Sequence, residues 1–277
     1  LQKTFMKLTG LLPEFYWWRR SVINLATDLD GTLYKGDILI DNVKSTYEYL
    51  IENNINIFFI TNNSSQSPEE IKNKLENLLD VEINIKHIVT PLIVFNHFFK
   101  DEHKNIYIHG TQNLKNYLKS LNYKITSLDN SEIILIGRKE EIDMYEIKEI
   151  EKAVRDGKKI ICFNKDITFP TENGEKPGNG AVVQIIEKDL GIVINSLGKP
   201  DDYYIKYFLD NNIHLDFVIG DRVDTDIFFG TKLNAKTILV NSGVSNFEDA
   251  NNADIVIESF SKVVPFIFWK FNKYITY

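Results

Sequence analysis

Apolar positions along the chain from residue 22 onward follow two different spacings. Short runs rich in β-branched residues indicate buried strands, and between them apolar residues recur every three or four positions, as on one face of a helix. This alternation predicts an α/β protein with a largely parallel sheet. The predicted strands are Val22 to Thr27, Ile55 to Ile60, Asn105 to His109, Ile133 to Gly137, Lys159 to Phe163, Leu215 to Gly220, Thr237 to Val240 and Asp254 to Ile257.

Helix boundaries show in the polar residues around these strands. Ser67 followed by Pro68 and two glutamates combines an N-cap residue, a proline at the first helical position and an acidic first turn, which predicts a helix start. Asp41 is predicted to cap an earlier helix. Two later helices are predicted from Met144 to Arg155, ended by Gly157, and from Gly180 to Leu190.

The composition of the chain excludes several classes of protein. The chain has 277 residues, 43% hydrophobic and 26% charged, enough for one large or two medium globular domains. Its net charge of −7 repels a phosphate backbone, so we expect no nucleic-acid partner. The single cysteine, Cys162, allows no internal disulfide and no thiolate-rich zinc site. No apolar run approaches the roughly 18 residues of a membrane span, and we expect none.

Polar residues gather just after three of the predicted strands, where parallel α/β sheets bind their ligands. Asp28 and Asp30 follow the first strand, Thr61 begins a polar run after the second, and Asp221 follows the strand that ends at Gly220. Lys199 lies in a loop before a helix. Together these positions supply carboxylates, a hydroxyl, amides and one amine.

Such a set suits phosphoryl transfer. A carboxylate is a competent nucleophile toward phosphorus, but its approach to an anionic phosphate needs a cation. Mg²⁺ prefers oxygen ligands, and Asp28, Asp221 and a main-chain carbonyl near Asp30 could supply them. Thr61, the amides that follow it and Lys199 are suitable donors to the phosphoryl oxygens.

Four motifs in chain order resemble those of the haloacid dehalogenase superfamily of phosphatases. They are DLDGTLY at residues 28–34, TNNSS at 61–65, Lys199 in GKP, and GDRVDTDI at 220–227. The segment NKDITFPTENGEKPGNGAVV at 164–183 resembles the signature of the NagD-like, or nitrophenylphosphatase-like, branch. The resemblance runs from about Val22 to Ile257, and it implies a Mg²⁺-dependent phosphomonoester hydrolase acting on small phosphorylated metabolites.

The resemblance also implies roles for particular residues. Asp28 would attack phosphorus and become an aspartyl phosphate, and Asp30 would act as general acid and then general base. Asp28, Asp30 and Asp221 would hold the metal ion, with Asp226 in support. Binding of the phosphoryl group would fall to Thr61, Asn62, Asn63 and Lys199, and binding of the leaving group to Asn164, Asp166 and Phe169.

Motif spacing predicts where an inserted domain lies. The stretch between Asp30 and Thr61 is too short for a cap, whereas that between Thr61 and Lys199 is long enough for one. Together with the resemblance, this implies a Rossmann-like parallel-sheet core with an inserted α/β cap of the type called C2, the type-two cap of the NagD-like branch. The expected divisions are an N-terminal arm at 1–20, core at 21–103, cap at 104–194 and core at 195–277.

Several alternatives stay open at this stage. A non-catalytic phosphate-binding switch or scaffold would use a similar set of residues. A switch has no place for a cap, and a scaffold without activity would be expected to have lost at least one of Asp28, Asp30, Lys199 or Asp221. Phosphomutases of the superfamily place their cap elsewhere. Phosphoglycolate, pyridoxal phosphate, sugar phosphates, nucleoside monophosphates and nitrophenyl phosphate are candidate substrates. Thr168-Phe169-Pro170 stands where animal pyridoxal phosphate phosphatases carry a histidine, which weakens that assignment.

Partners and location follow from the same reasoning. We expect a small phosphorylated metabolite as partner and, from the resemblance, a possible homodimer through the cap. The low cysteine content suits a reducing compartment, so we expect a cytoplasmic protein. The chain begins with Leu1, and an N-terminal extension that targets an organelle remains an open alternative.

Overall fold

The computed structural model describes residues 22–102, 104–139, 141–171, 174–243 and 252–272. For 169–171, 174–176 and 269–272 the backbone alone is described. The expected N-terminal arm and the side chain of Phe169 therefore lie outside the described part of the chain.

The first sheet contains β1 Ile23–Thr27, β4 Ile55–Ile60, β5 Ile88–Val89, β13 Phe217–Gly220, β14 Lys236–Val240 and β15 Ile255–Ile257. All six strands are parallel, in the order β15-β14-β13-β1-β4-β5. Leu25 of β1 pairs with both Phe217 of β13 and Ile57 of β4, so the first strand of the chain lies in the interior of the sheet.

The second sheet contains β6 Asn105–His109, β7 Lys124–Ile125, β8 Ile133–Ile136, β9 Lys159–Cys162 and β12 Asn195–Ser196. These five strands are parallel, in the order β12-β9-β8-β6-β7. Two antiparallel hairpins complete the strands, one of β2 Tyr34–Lys35 with β3 Ile38–Leu39 and one of β10 Thr168–Thr171 with β11 Gly174–Pro177. The α/β class with parallel sheets is confirmed.

The helices show which sequence signals decide their ends. Ser67 accepts a hydrogen bond from the Glu70 amide while the Glu70 carboxylate accepts one from the Ser67 amide, a complete capping box that confirms the predicted start at Pro68. The predicted Asp41 cap is wrong. Asn42 occupies the N-cap at φ +62°, a left-handed conformation that asparagine tolerates, and its side chain makes no capping bond. The helices are α1 Val43–Glu52, α2 Pro68–Leu79, α3 Pro91–Phe99, α4 Gln112–Ser120, α5 Met144–Arg155, α6 Asn179–Leu190, α7 Asp202–Asp210, α8 Phe228–Lys232 and α9 Val264–Asn272.

Successive residues of the central strand point to opposite faces of the first sheet and enter different apolar clusters. Leu25 packs with α1, α2 and α9, whereas Ala26 packs with α3, α7 and α8. The second cluster continues into the other sheet through Ile108 and Phe163, so the two sheets share one buried apolar layer. A third cluster covers the far face of the second sheet with α5 and α6. Among the described residues, no helix combines the length and the apolar composition of a membrane span.

A buried polar group at the end of β6 should make stability depend on pH. Glu146 lies 3.0 Å from the buried His109 ring, accepts a hydrogen bond from the Tyr107 hydroxyl at 2.7 Å and pairs with Lys139. The contact with His109, with the bonds from Lys139 and Tyr107, lowers the pKa of the Glu146 carboxyl against the opposing effect of burial. A lowered pKa in the folded state means that the carboxylate stabilises the fold at neutral pH.

We expect Glu146→Gln to lower the free energy of unfolding by about 1.5 kcal/mol at pH 7, the lower end of the range for a hydrogen bond to a charged group. The contribution is complete above the unfolded-state pKa of about 4.3 and disappears as the pH falls toward the folded-state value. Urea unfolding of both proteins at pH 7 and pH 3.5 measures this. A difference between wild type and variant that grows at the lower pH would contradict it. The solvated neighbour Glu149→Gln is the control.

Candidate active site

Three strand ends and one loop meet at the carboxyl edge of the first sheet. Since β1 lies between β13 and β4, Asp28, Asp221 and Thr61 emerge side by side from adjacent strands. Lys199 lies in the loop after β12, the edge strand of the second sheet, and its side chain reaches the same place. The peptide bond between Lys199 and Pro200 is cis. The structure thus brings together one residue from each of the four predicted motifs.

Lys199 is the cation at the centre of this group. Its Nζ donates to Asp28 Oδ1 at 2.7 Å and to Asp226 Oδ1 at 2.7 Å, and the lysine side chain is 1% exposed. Burial alone would lower the pKa of Lys199, but the carboxylates of Asp226 and Asp28 outweigh it and raise the pKa. The ammonium therefore stays charged at any physiological pH.

Three buried carboxylates lie close together here, and two of them, Asp28 and Asp226, pair with the Lys199 ammonium. Asp28, Asp221 and Asp226 each offer an oxygen within 4.8 Å of the others, a spacing that can hold a metal ion. Burial raises the pKa of Asp28, with Asp226 and Asp221 adding to the rise and Lys199 opposing it. Three carboxylates against one ammonium leave negative charge, and all-oxygen donors of this kind suit Mg²⁺. The donor set therefore fits the expected ion.

Two glycines allow the carboxylates to come so close. Gly31 has φ +89°, and a Cβ there would lie 2.6 Å from Asp221 Oδ2. A Cβ at Gly220 would lie 2.2 Å from the Asp226 carboxylate. Any other residue would push an aspartate away, so both glycines are required for the packing of the site.

Asp30 differs from its neighbours in exposure. Its side chain lies in the cavity beside Asp28 and is solvent-accessible, and its carboxylate is outside the three-member group found among the described residues. The sequence analysis expected a main-chain carbonyl near Asp30, not its carboxylate, to bind the metal ion, and this stays a prediction. Loss of hydration to the surrounding protein raises the pKa of Asp30, while Lys74, Lys199 and Tyr34 oppose the rise. A raised pKa favours a protonated carboxyl, the form a general acid needs.

Asn62 joins the lysine loop to the second sheet. Its side-chain oxygen accepts from the Lys199 amide at 2.7 Å, and its Nδ2 donates to the Lys199 carbonyl at 3.1 Å and to Asp166 Oδ1 at 3.0 Å. The Asn62 carbonyl accepts from Asn164 Nδ2 at 2.8 Å. Asn164 and Asp166 follow β9 of the second sheet, so one asparagine connects the two sheets at the site.

Two further predicted residues, Thr61 and Asn63, line the same cavity. Thr61 is buried, and its Oγ1 accepts from the Asn63 amide at 3.0 Å. The Asn63 side chain is engaged in its own loop, donating to Gln66 and accepting from Ser65. The cavity measures about 220 Å³, and both sheets contribute to its walls.

Sequence reasoning gave no site role to eight residues of this cavity wall: Ser64, Ser65, Arg138, Thr168, Gly178, Asn179, Arg222 and Thr225. Asn179 Nδ2 donates to the carbonyls of Asn164 and Ile136, which fixes the loop after β9. Arg138 follows β8, and the rule that ligands lie beyond strand ends could have found it. Asp224, which sequence reasoning left outside the catalytic set, is exposed and pairs with Arg222 at 2.9 Å.

Comparisons with known proteins agree with this geometry. The model of the haloacid dehalogenase-like hydrolases matches residues 25–124, and a second HAD-hydrolase-like model matches 196–263. The acid sugar phosphatase of Staphylococcus epidermidis is 32% identical over 234 residues, which are 82% of this chain and 90% of that protein. The chain therefore belongs to the haloacid dehalogenase-like hydrolase family.

Solved structures with the same fold indicate which branch of the family this chain belongs to. The 4-nitrophenylphosphatase of Thermotoga maritima has a TM-score of 0.77 and 25% identity, covering 87% of this chain and 96% of that one. The p-nitrophenyl phosphatase of Archaeoglobus fulgidus, at 24% identity, shares the fold with a TM-score of 0.79, covering 88% and 98%. This chain is a NagD-like phosphatase.

Proposed function

We propose that the chain is a Mg²⁺-dependent phosphomonoester hydrolase that acts through an aspartyl phosphate on Asp28. The observation that carries the proposal is the Asp28 carboxylate at a strand end, 2.7 Å from the buried Lys199 ammonium and facing a cavity that also contains Asp30. A nucleophile, a fixed cation and a second carboxyl group beside one cavity are the elements of phosphoryl transfer through an enzyme carboxylate.

Each residue of the site would have a separate role in the reaction. Asp28 attacks phosphorus, and Lys199 holds the carboxylate and balances charge on the phosphoryl group. Asp30 gives its proton to the leaving oxygen and later takes one from the attacking water. Thr61, Asn62 and Asn63 bind the phosphoryl group from the loop after β4.

Asp28, Asp221 and the main-chain carbonyl near Asp30 would hold the metal ion, with Asp226 in support. When bound, Mg²⁺ supplies Lewis-acid charge that offsets the repulsion between the phosphate and the carboxylates. Asp226 is itself held in place by Lys199 and by the Arg222 amide, which donates to its Oδ2 at 3.1 Å.

The leaving group would meet residues of the second sheet. We propose that residues 104–194 form a cap whose loop after β9 contacts the leaving group through Asn164, Asp166 and Phe169. Hydroxyl-rich esters suit the amide and carboxylate groups there, and the relatives named as acid sugar phosphatase and 4-nitrophenylphosphatase support sugar phosphates and nitrophenyl phosphate as first substrates. Pairing of two copies through the cap remains a prediction.

A panel of phosphate esters tests the substrate range. The panel contains sugar phosphates, nucleoside monophosphates, phosphoglycolate, pyridoxal phosphate and nitrophenyl phosphate, each ranked by kcat/KM. Sugar phosphates are expected to rank above pyridoxal phosphate. Failure to release phosphate from any ester of the panel would contradict the proposed function.

Metal dependence gives a separate prediction. We expect a chelator to abolish phosphate release and added Mg²⁺ to restore it. Asp221→Asn should raise the Mg²⁺ concentration for half-maximal activity about tenfold or more, because the ion loses a charged ligand. Asp224→Asn, three positions away and exposed, is the matched control and should stay within about twofold. Equal Mg²⁺ requirements in the two variants would argue against the assigned ligands.

A further inference from the structure

The first turn of α6 holds residues 164–167, the loop after β9, by its main chain. The Gly178 amide donates to the Ile167 carbonyl at 2.7 Å, and the Gly180 amide donates to the Asp166 carbonyl at 2.8 Å. The approach is close, because a Cβ at Gly178 would lie 2.2 Å from the Asp166 carbonyl oxygen. The loop therefore lies directly against the start of this helix.

Asn179 adds a side-chain attachment to these main-chain bonds. It is 3% exposed, and its Nδ2 donates to the Asn164 carbonyl at 2.8 Å and to the Ile136 carbonyl at 3.2 Å. Its Oδ1 has no hydrogen-bond partner among the described residues, so the amide bonds through its two donor hydrogens. Because Ile136 ends β8, one side chain ties the loop after β9 to the end of the neighbouring strand.

The same loop carries the contacts that the active site receives from the second sheet. Asn164 Nδ2 donates to the Asn62 carbonyl at 2.8 Å, and Asp166 Oδ1 accepts from Asn62 Nδ2 at 3.0 Å. The Asp166 amide donates to Asn164 Oδ1 at 3.2 Å, which joins these two residues within the loop. The start of α6 thus holds the carbonyls of the loop, while Asn62 holds its side chains.

From these contacts we infer that Asn179 is a positioning residue for leaving-group selectivity, and that it acts by fixing the loop after β9 before a substrate binds. The inference rests on the proposed function, which places the leaving group against Asn164 and Asp166. A loop that is fixed in advance loses less conformational entropy when a substrate binds, and it accepts fewer shapes of leaving group. Asn179 needs no contact with the substrate for this role.

Inorganic phosphate separates the two ends of the substrate, because it has no leaving group and its inhibition constant reports the phosphoryl site alone. With Asn179→Ala, we expect KM for the best sugar phosphate of the panel to rise about tenfold, the effect of losing two hydrogen bonds of modest net strength. Neither kcat for that ester nor the inhibition constant of inorganic phosphate should change by more than about twofold. KM for nitrophenyl phosphate should rise only about twofold, since its leaving group offers few hydrogen-bonding groups to the loop.

Amide hydrogen exchange of the unliganded protein measures the loop itself and needs no turnover. In Asn179→Ala, the peptide that contains residues 164–167 should exchange about tenfold faster, because the loop opens without breaking the two bonds of the amide. Ser131→Ala is the matched control. Ser131 is buried ahead of β8, outside the cavity wall, and its hydroxyl donates to the Leu128 carbonyl at 2.8 Å. This control removes a buried bond beside the same sheet and should change neither the loop exchange nor KM.

Asn179→Asp separates the hydrogen bonds from the shape of the side chain. Aspartate has the size of asparagine, and its charge suits the first turn of α6, where negative charge is favourable. Its oxygens would repel the carbonyls of Asn164 and Ile136, which the amide binds. We therefore expect Asn179→Asp to raise KM for the sugar phosphate and to speed loop exchange at least as much as Asn179→Ala does.

The combined results distinguish the inference from the proposed function. Faster loop exchange with a higher KM for the sugar phosphate and an unchanged inhibition constant of inorganic phosphate supports the inference. If the wild type hydrolyses no ester of the panel, the proposed function fails and the inference with it. If the wild type is active but Asn179→Asp behaves like it, or Asn179→Ala exchanges no faster, or phosphate inhibition weakens as much as substrate binding, the inference alone is overturned.

Discussion

Asp28→Asn is expected to lower kcat on every phosphate ester by about 10⁴-fold or more, with a folded protein. An amide lacks the anionic oxygen that must bond to phosphorus. The neighbouring carboxylates cannot replace it, because Asp221 and Asp226 are buried at the proposed metal site and Asp226 is paired with Lys199. The amide keeps the shape of the carboxyl, and Lys199 retains Asp226 as partner, so the fold should remain.

Single-turnover phosphate release and circular dichroism measure the two parts of this prediction. Asp224→Asn makes the same chemical change at an exposed position on the same edge of the sheet and should keep nearly full activity. An Asp28→Asn protein that is folded and hydrolyses nitrophenyl phosphate near the wild-type rate would show that the carboxylate is not the nucleophile.

Lys199→Met should damage both activity and stability. Removing the ammonium leaves Asp28 and Asp226 buried without their shared cation, a loss of about 3 kcal/mol in the free energy of unfolding. We expect kcat/KM to fall by about 10³-fold, since a fixed positive charge at the phosphoryl group disappears. The remaining carboxylates repel one another more strongly, so added Mg²⁺ should raise the melting temperature of the variant more than that of wild type.

Thermal unfolding with and without Mg²⁺ tests the electrostatic part. Lys232→Met serves as the control, because Lys232 donates to the Pro200 carbonyl at 2.8 Å on the same loop but is half-exposed. Its stability should stay within about 0.5 kcal/mol of wild type. A Lys199→Met protein that responds to Mg²⁺ no more than wild type does would show that the carboxylates do not share the proposed cation.

Much of the fold could be predicted, because the apolar pattern of a long strand or helix shows where that element begins and ends. The strands Ile55–Ile60 and Asn105–His109 and the helix Met144–Arg155 lie where the sequence analysis put them. Two-residue strands such as Ile88–Val89 and Asn195–Ser196 were missed, because a pattern with a period of two needs more residues than that. The start of α1 was mispredicted because asparagine enters the left-handed region without a side-chain cap.

The site was predictable to the extent that it follows chain order. Asp28, Thr61, Lys199 and Asp221 stand at strand ends or beside them, and the parallel sheet brings such ends together. The second bond of Lys199, to Asp226, was not foreseen. It depends on side-chain directions set by tertiary packing, which spacing along the chain does not specify.

Asn62 has a thermodynamic consequence beyond its place in the cavity wall. Its side chain binds both main-chain groups of Lys199 and the carboxylate of Asp166, so the loops of two different sheets share one amide. If that amide bonds differently when the loop after β9 shifts, the free energy of the shift and that of phosphate binding are linked. The linkage is reciprocal. If bound phosphate favours one position of the loop by a given free energy, that loop position strengthens phosphate binding by the same free energy.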